Sequence, residues 1–445
     1  MRKECVIGSD LLLPLALFSL LLLATVITGG SIVLALLAGL AIFSFHALRE
    51  HHAPAQIAGA IVQGASAVKN LLVVFALVGA MTAALRCCGT IPLVVCCAVK
   101  LCRPEIMLLA TFLLNAGVSL LIGTCFGTAA TVGTVCAAVA ASMGIDPALA
   151  GGAVLAGVFV GDRASPFSSG AILVSEITGT NLYDNVSAML RRGLVPALLT
   201  CILYTMLGRS SGARAEVDLD TVFQTEFYLS WVLLLPLILI PVLSLLRLNV
   251  KLSMSAAILT AVVLALFVQD VPPQILLRQL ILGYASDQPE IDVLLHGGGV
   301  LSMARTAAVI TISSTYTGIF RMTGVLASLK ALAARLSRRI TPFAAMLCVS
   351  LATGMVSCNQ MFSVMLTRQA FEEIIPDRSC LALALEDSAV LIAPMIPWSI
   401  AAAVPLASAN APSSSIFFAF YLYLVPLCTL VREMRNRHLR LGAGV

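Results

Sequence analysis

Long apolar runs alternate with short polar connections along most of the chain. Runs near 11–28, 31–48, 71–85, 106–122, 194–207, 228–246, 252–268, 306–320, 341–357 and 415–431 approach the roughly 20 residues that a helix needs to cross a bilayer. Weaker runs at 128–143, 148–161, 171–182, 381–393 and 399–409 are short or broken by Gly and Pro, as discontinuous and re-entrant helices are in transporters. The pattern predicts an all-α, polytopic membrane protein of about 10 to 13 helices. A β-barrel does not fit, because Leu11 to Thr28 and Trp231 to Leu246 are apolar on all sides rather than alternating. Helices then satisfy the backbone within each segment.

Composition agrees. Of 445 residues, 60% are apolar and 11% charged, against about 25% charged in a soluble domain. The net charge of +5 bears on orientation, since Lys and Arg gather in cytoplasmic loops. Arg2 and Lys3 at one end and Arg432, Arg435, Arg437 and Arg440 at the other place both termini inside, which requires an even number of spans. The first run has no convincing cleavage site, so it reads as an uncleaved helix rather than a signal peptide. The expected partners are the lipid bilayer and a small ion or solute, with self-association open and no nucleic acid. Thirteen cysteines and five histidines show no ligand spacing, so no cofactor is expected beyond a transported sodium ion or proton.

The segment from Arg209 to Glu226 is the longest polar connection and divides the chain into transmembrane halves 1–215 and 216–445. The halves look related. Arg86 and Gly89 recur as Arg321 and Gly324, 235 residues on, and the break at Ser165-Pro166 recurs at Ala393-Pro394. Two such halves with interrupted helices are a transporter signature, usually with inverted topology.

The most informative stretch runs from Gly157 to Gly170. An apolar helix leads into Asp162, Arg163, Ser165, Pro166 and Ser168. Pro166 lacks an N–H and disfavours helix at Ser165, so upstream carbonyls lose partners; with the hydroxyls and Asp162 they suit a small hard cation such as sodium. A structural Asp162–Arg163 pair is the alternative. Thr124, Thr128 and Thr131 share the spacing of one helical face, although Gly123 and Gly127 equally form a Gly-x-x-x-Gly packing surface. In the second half, Ser357-Cys358-Asn359-Gln360 interrupts an apolar run, and Glu386-Asp387-Ser388 precedes the prolines Pro394 and Pro397.

These residues resemble the NhaC-type sodium/proton antiporters of the ion transporter superfamily. Gly161-Asp162-Arg163-Ala164-Ser165-Pro166-Phe167-Ser168, Gly123 to Thr128, His296-Gly297-Gly298-Gly299, Arg321-Met322-Thr323-Gly324, and Glu386-Asp387-Ser388 with Pro394-Met395-Ile396-Pro397-Trp398 follow that family's order. The resemblance implies a multi-pass antiporter of the cell (inner) membrane. Two departures stand out: Ser169-Gly170 replaces the family's Asp-Thr, and Cys358-Asn359 stands where it has Gly-Asp. Loss of two carboxylates weakens cation attraction, so exchange of an organic acid or amino acid coupled to sodium or protons is the second expectation.

The expected mechanism is secondary active antiport by alternating access. Asp162 is the first candidate for ion ligand or proton carrier, with neutral ligands from Ser165, Ser168, Thr124, Thr128, Asn359 and Gln360, and with Glu386 and Asp387 as further proton-linked groups. An enzyme is disfavoured by the lack of His-Glu-x-x-His and Gly-x-Ser-x-Gly motifs, and an ATP-driven pump by the lack of a P-loop. A channel would need a repeated filter, which is not seen.

Overall fold

A computed structural model describes residues 28–442 except 29, 67, 102, 211–222, 224, 225, 247, 249, 289, 290, 293, 294, 323, 324 and 358, and scattered positions between 14 and 25. Arg2, Lys3, most of the first apolar run, Cys102, Thr323, Gly324, Cys358 and the centre of the polar connection, with the proposed division near 215, lie outside the described residues.

The described chain is helical. The first group comprises α1 (Ile32–Arg49), α2 (Pro54–Ser66), α3 (Lys69–Cys87), α4 (Thr90–Leu101) and α5 (Pro104–Ile122). Next come α6 (Cys125–Ser142), α7 (Pro147–Ala164), α8 (Ser169–Thr178) and α9 (Leu182–Ser210). After the polar connection follow α10 (Leu235–Leu245), α11 (Val250–Phe267), α12 (Pro273–Leu282), α13 (Ala304–Met322), α14 (Val325–Ser337) and α15 (Pro342–Ser357). The chain ends with α16 (Gln360–Phe371), α17 (Arg378–Asp387), α18 (Ala389–Ile392), α19 (Ile400–Ser408) and α20 (Phe420–Gly442). Among the described residues five helices are long and apolar enough to cross a membrane, or seven if two bent pairs each count as one span. One pair bends by 65° between α3 and α4, the other by 57° between α17–α18 and α19. Helices α2, α4, α12 and α14 are too short to span by themselves, which is why a pattern of membrane-length apolar runs does not reveal them.

Local sequence sets the boundaries. Pro104 and Pro147 open α5 and α7 at the first helical position, where a missing N–H costs nothing. Gly123 ends α5 at φ +74°, and its Cβ position is blocked by Phe167, so this glycine is a cap pressed on the broken segment rather than half of a packing motif. The Gly-x-x-x-Gly contact belongs to Gly157 and Gly161 of α7. A Cβ at Gly161 would lie 2.0 Å from the Ser119 carbonyl carbon, and one at Gly157 2.7 Å from the Phe112 oxygen. Backbones of α5 and α7 therefore touch, as small residues allow inside a membrane.

Element order repeats along the chain. Helix α3 starts at Lys69 and α13 at Ala304; α4 at Thr90 and α14 at Val325; α6 at Cys125 and α16 at Gln360, each pair 235 residues apart. The packing, however, crosses between the two series. One apolar core joins α3–α7 to α10, α11, α12 and α19, while the other joins α1 and α2 to α13–α17 and to Val174 of α8. Glycines seal both crossings: Gly318 of α13 meets the Ala60 backbone of α2, and Gly79 of α3 meets the backbone of Gly299. The arms after the two breaks, α8 and α19, thus each lie with elements of the opposite series.

Candidate functional site

Pro166 organises the first break. Ser165, the residue before proline, is extended at φ −97°, ψ 139°, as proline sterics require. Its amide still closes the helix on Gly161 (2.9 Å). Pro166 has no N–H to offer the Asp162 carbonyl four residues back, and the Ser168 hydroxyl donates to that carbonyl instead. Ser168 Oγ also accepts the Gly170 and Ala171 amides at 3.1 and 3.3 Å, capping α8. Ser165 Oγ donates to the Leu120 carbonyl at 2.7 Å and accepts the Phe167 amide at 3.2 Å. These two serines join the broken ends to each other and to α5; the Asp162 carbonyl expected to be free is already bonded.

The Asp162 side chain, 4% exposed, lies between the starts of two other helices. Its Oδ1 accepts the Cys125 N–H at 3.2 Å, and its Oδ2 accepts the Gln360 Nε2 amide at 3.1 Å. Cys125 opens α6 and Gln360 opens α16, the two members of one repeated pair. Each start is fixed by the residue before it. Thr124 Oγ1 accepts from the Gly127 amide at 3.2 Å, and Asn359 Oδ1 accepts from Met361 and Phe362 at 3.0 and 3.4 Å. Two positive helix ends therefore face one carboxylate. Thr128 donates to the Thr124 carbonyl at 3.0 Å, and a π-turn at Ala129–Gly133 follows at once, so Thr124, Thr128 and Thr131 do not share one regular helical face. Of the expected group, the fold brings Asp162, Ser168 and Gln360 into direct contact, with Thr124 and Asn359 as caps behind them.

Arg163 does not pair with Asp162. Consecutive helical residues point about 100° apart, and Arg163, fully buried, reaches into the second half. Its Nη2 bonds to Asp387 Oδ1, while Nη1 donates to Tyr421 Oη at 3.2 Å and the Met189 carbonyl at 3.3 Å. Asp387 Oδ2 accepts from Thr429 at 2.9 Å and lies 3.7 Å from Arg192. Asp387 is thus placed as the counterion of Arg163. Its neighbour Glu386 is different. It is 1% exposed and, among the described residues, neither carboxyl oxygen has a hydrogen-bond partner, although Arg163, Asp387 and Asp162 lie within its electrostatic reach. A buried carboxylate without partners is costly unless a proton or a cation balances it.

Several contributors escape a sequence reading. The Cys125 amide carries no residue-type signal, because a backbone donor depends only on where the helix starts. Tyr421, Thr429 and Arg192 sit in ordinary-looking helices and matter only through their position beside the Arg163–Asp387 pair. Among the described residues no three His, Cys, Asp or Glu side chains gather to hold a metal ion, so a cation at Asp162 would rely on carbonyl and amide oxygens.

Comparison with known proteins agrees with this architecture. The profile of the Na+/H+ antiporter family matches residues 7–208 and 157–431. The Na+/H+ antiporter NhaC of Alkalihalophilus pseudofirmus is 29% identical over 384 residues, covering 84% of this chain and 83% of that protein. The malate-2H+/Na+-lactate antiporter of Bacillus subtilis is 26% identical over 410 residues, covering 88% and 86%. The Na+/H+ antiporter NhaC of Bacillus subtilis is 26% identical over 387 residues, covering 83% and 85%. The protein crosses the cell membrane several times, and its lipid-embedded fold is that of a transporter. With a profile match over most of its length and two series of broken helices meeting at Asp162, the chain belongs to the Na+/H+ antiporter family.

Proposed function

We propose that this protein exchanges sodium ions for protons across the cell membrane by alternating access, with Asp162 as the cation ligand and Glu386 as a second, proton-carrying carboxyl. The observation that carries this reading is the setting of Asp162. It is buried where broken helices of both series meet, and the adjacent arginine is withheld from it by Asp387. Its partners are neutral, so the charge is free to meet a proton or an ion. Gln360 suits both states, since an amide offers a donor on one side and an acceptor on the other. It donates to the bare carboxylate and, turned over, presents Oε1 to a bound cation or a protonated carboxyl.

Alternating access then needs motion of one group of helices against another. The crossing of α8 and α19 between the two cores couples such motion to the site, since both arms begin at the breaks. The sequence halves meeting near 215 are the units we assign to the two repeats.

Reconstitution into proteoliposomes tests the reading. A sodium gradient should drive proton movement followed by an internal pH dye, and Asp162→Asn should reduce it to background with normal amounts of folded protein. Glu386→Gln should stop proton movement while sodium binding persists. Normal exchange by well-expressed Asp162→Asn protein would overturn the assignment.

A further inference from the structure

A second buried charge has no role in this exchange. Arg86, at the last turn of α3, is 6% exposed, and among the described residues no carboxylate lies within ion-pair distance. Its Nη1 donates to the Thr82 carbonyl at 2.8 Å, while its buried Nε has no hydrogen-bond partner among the described residues. Buried charges are otherwise paired, and the end of a helix supplies only about half a unit of compensating charge. Beside Arg86 lies a cavity of about 100 Å³, lined also by Thr134, Ala137, Ala150, His296 and Asn410. That volume equals the share of about three waters, room for a carboxylate with a short tail. The lining supplies donors that such an anion requires: a guanidinium whose fork matches a carboxylate, the Asn410 amide, and the His296 imidazole, whose Nδ1 lies 3.1 Å from Asp292 Oδ1 and whose Nε2 is left to face the cavity. Thr134 already donates to the Ser408 carbonyl at 3.0 Å, which ties one wall of the cavity to α19. Five elements therefore converge here: α3, α6, the start of α7, the loop before α13, and the end of α19.

We infer that this cavity is a binding site for a small organic carboxylate, held by Arg86 with His296 and Asn410. Nine residues separate Thr134 from Cys125 along α6, about 13 Å at helical rise, so the site is apart from Asp162. It stands or falls independently of sodium/proton exchange. A carboxylate bound there would hold α19 against α6 through the same wall, linking anion occupancy to the arm that follows the second break.

Equilibrium binding to the purified full-length protein in lipid nanodiscs tests this, with radiolabelled acetate as probe and unlabelled L-lactate and chloride as competitors. Saturable acetate binding, displaced by lactate and not by equimolar chloride, is the expected result. Arg86→Gln should weaken it by roughly tenfold or more, as loss of a charge-assisted hydrogen bond does, and Arg86→Lys should recover part. Because Arg86→Gln could also perturb folding, Ala137→Leu, which fills the cavity without touching a polar group, should likewise weaken binding and leave sodium-driven proton movement intact. Absence of saturable binding, equal competition by chloride, or binding that survives both Arg86→Gln and Ala137→Leu would overturn the inference.

Discussion

Arg163→Gln probes how the two series of helices are joined. The substitution removes the closest partner of Asp387, a fully buried carboxylate that keeps Thr429 at 2.9 Å and the more distant Arg192 at 3.7 Å. Breaking a buried ion pair on one side costs about 3 to 5 kcal/mol. The two remaining partners put Arg163→Gln near the lower end, about 3 kcal/mol. Asp387→Asn is the harsher change, because it leaves the buried guanidinium of Arg163 bonded to neutral acceptors alone, Tyr421 Oη, the Met189 carbonyl and the new amide oxygen; about 5 kcal/mol is expected. The double variant removes both charges, and its two amides can bond to each other. It should therefore cost at least about 2 kcal/mol less than the sum of the single changes. Unfolding in mixed micelles at increasing SDS measures this. Trp398 is a suitable reporter, since it lies buried in the second break with its indole N–H donating to the Met355 carbonyl at 2.9 Å. Strict additivity, or a stability change below about 0.5 kcal/mol for either single variant, would refute the proposed joint, because surface pairs contribute that little.

Other perturbations check other parts of the argument. Asn359→Asp should fold normally, because Asp caps a helix as well as Asn, and together with Ser169→Asp it should raise the sodium affinity measured by isothermal titration; unchanged affinity would count against the importance of the two missing carboxylates. Gly161→Ala places a methyl against the backbone of Ser119 and should cost about 1 to 3 kcal/mol while impairing exchange, since Asp162 is the next residue; a neutral outcome in the same unfolding assay would contradict the close approach of α5 and α7. At the exposed start of α17, the Cys380 and Ser379 amides hold the Asp377 carboxyl below its ordinary range. A lowered folded value means that its stabilisation is complete at neutral pH and is lost as pH falls through that value; Asp377→Asn should abolish this acid-side loss, read by hydrogen exchange in the first turn of α17.

Much of this protein is written in its linear pattern. Apolar runs too long for anything but membrane helices determine the fold class, and a proline after Ser165 with serines on both sides determines a broken helix, because the missing N–H must be replaced locally. The recurrence of Arg86 and Gly89 at Arg321 and Gly324 falls in step with the repeated order of helices. Pairing was not legible. Asp162 and Arg163 are adjacent in the chain, as are Glu386 and Asp387, and in each pair the two side chains leave the helix in different directions. Arg163 and Asp387 meet over 224 residues of sequence, Asp162 and Gln360 over 198. Short helices such as α2 and α14 were equally hidden, for their lengths are set by the neighbours that cover them. The sequence determines which segments are helical and where they break, since those depend on side chains and prolines within a few residues. Only the tertiary structure decides which charge is neutralised and which is left free, because that depends on helices crossing between the two series to bring distant residues within a few ångströms.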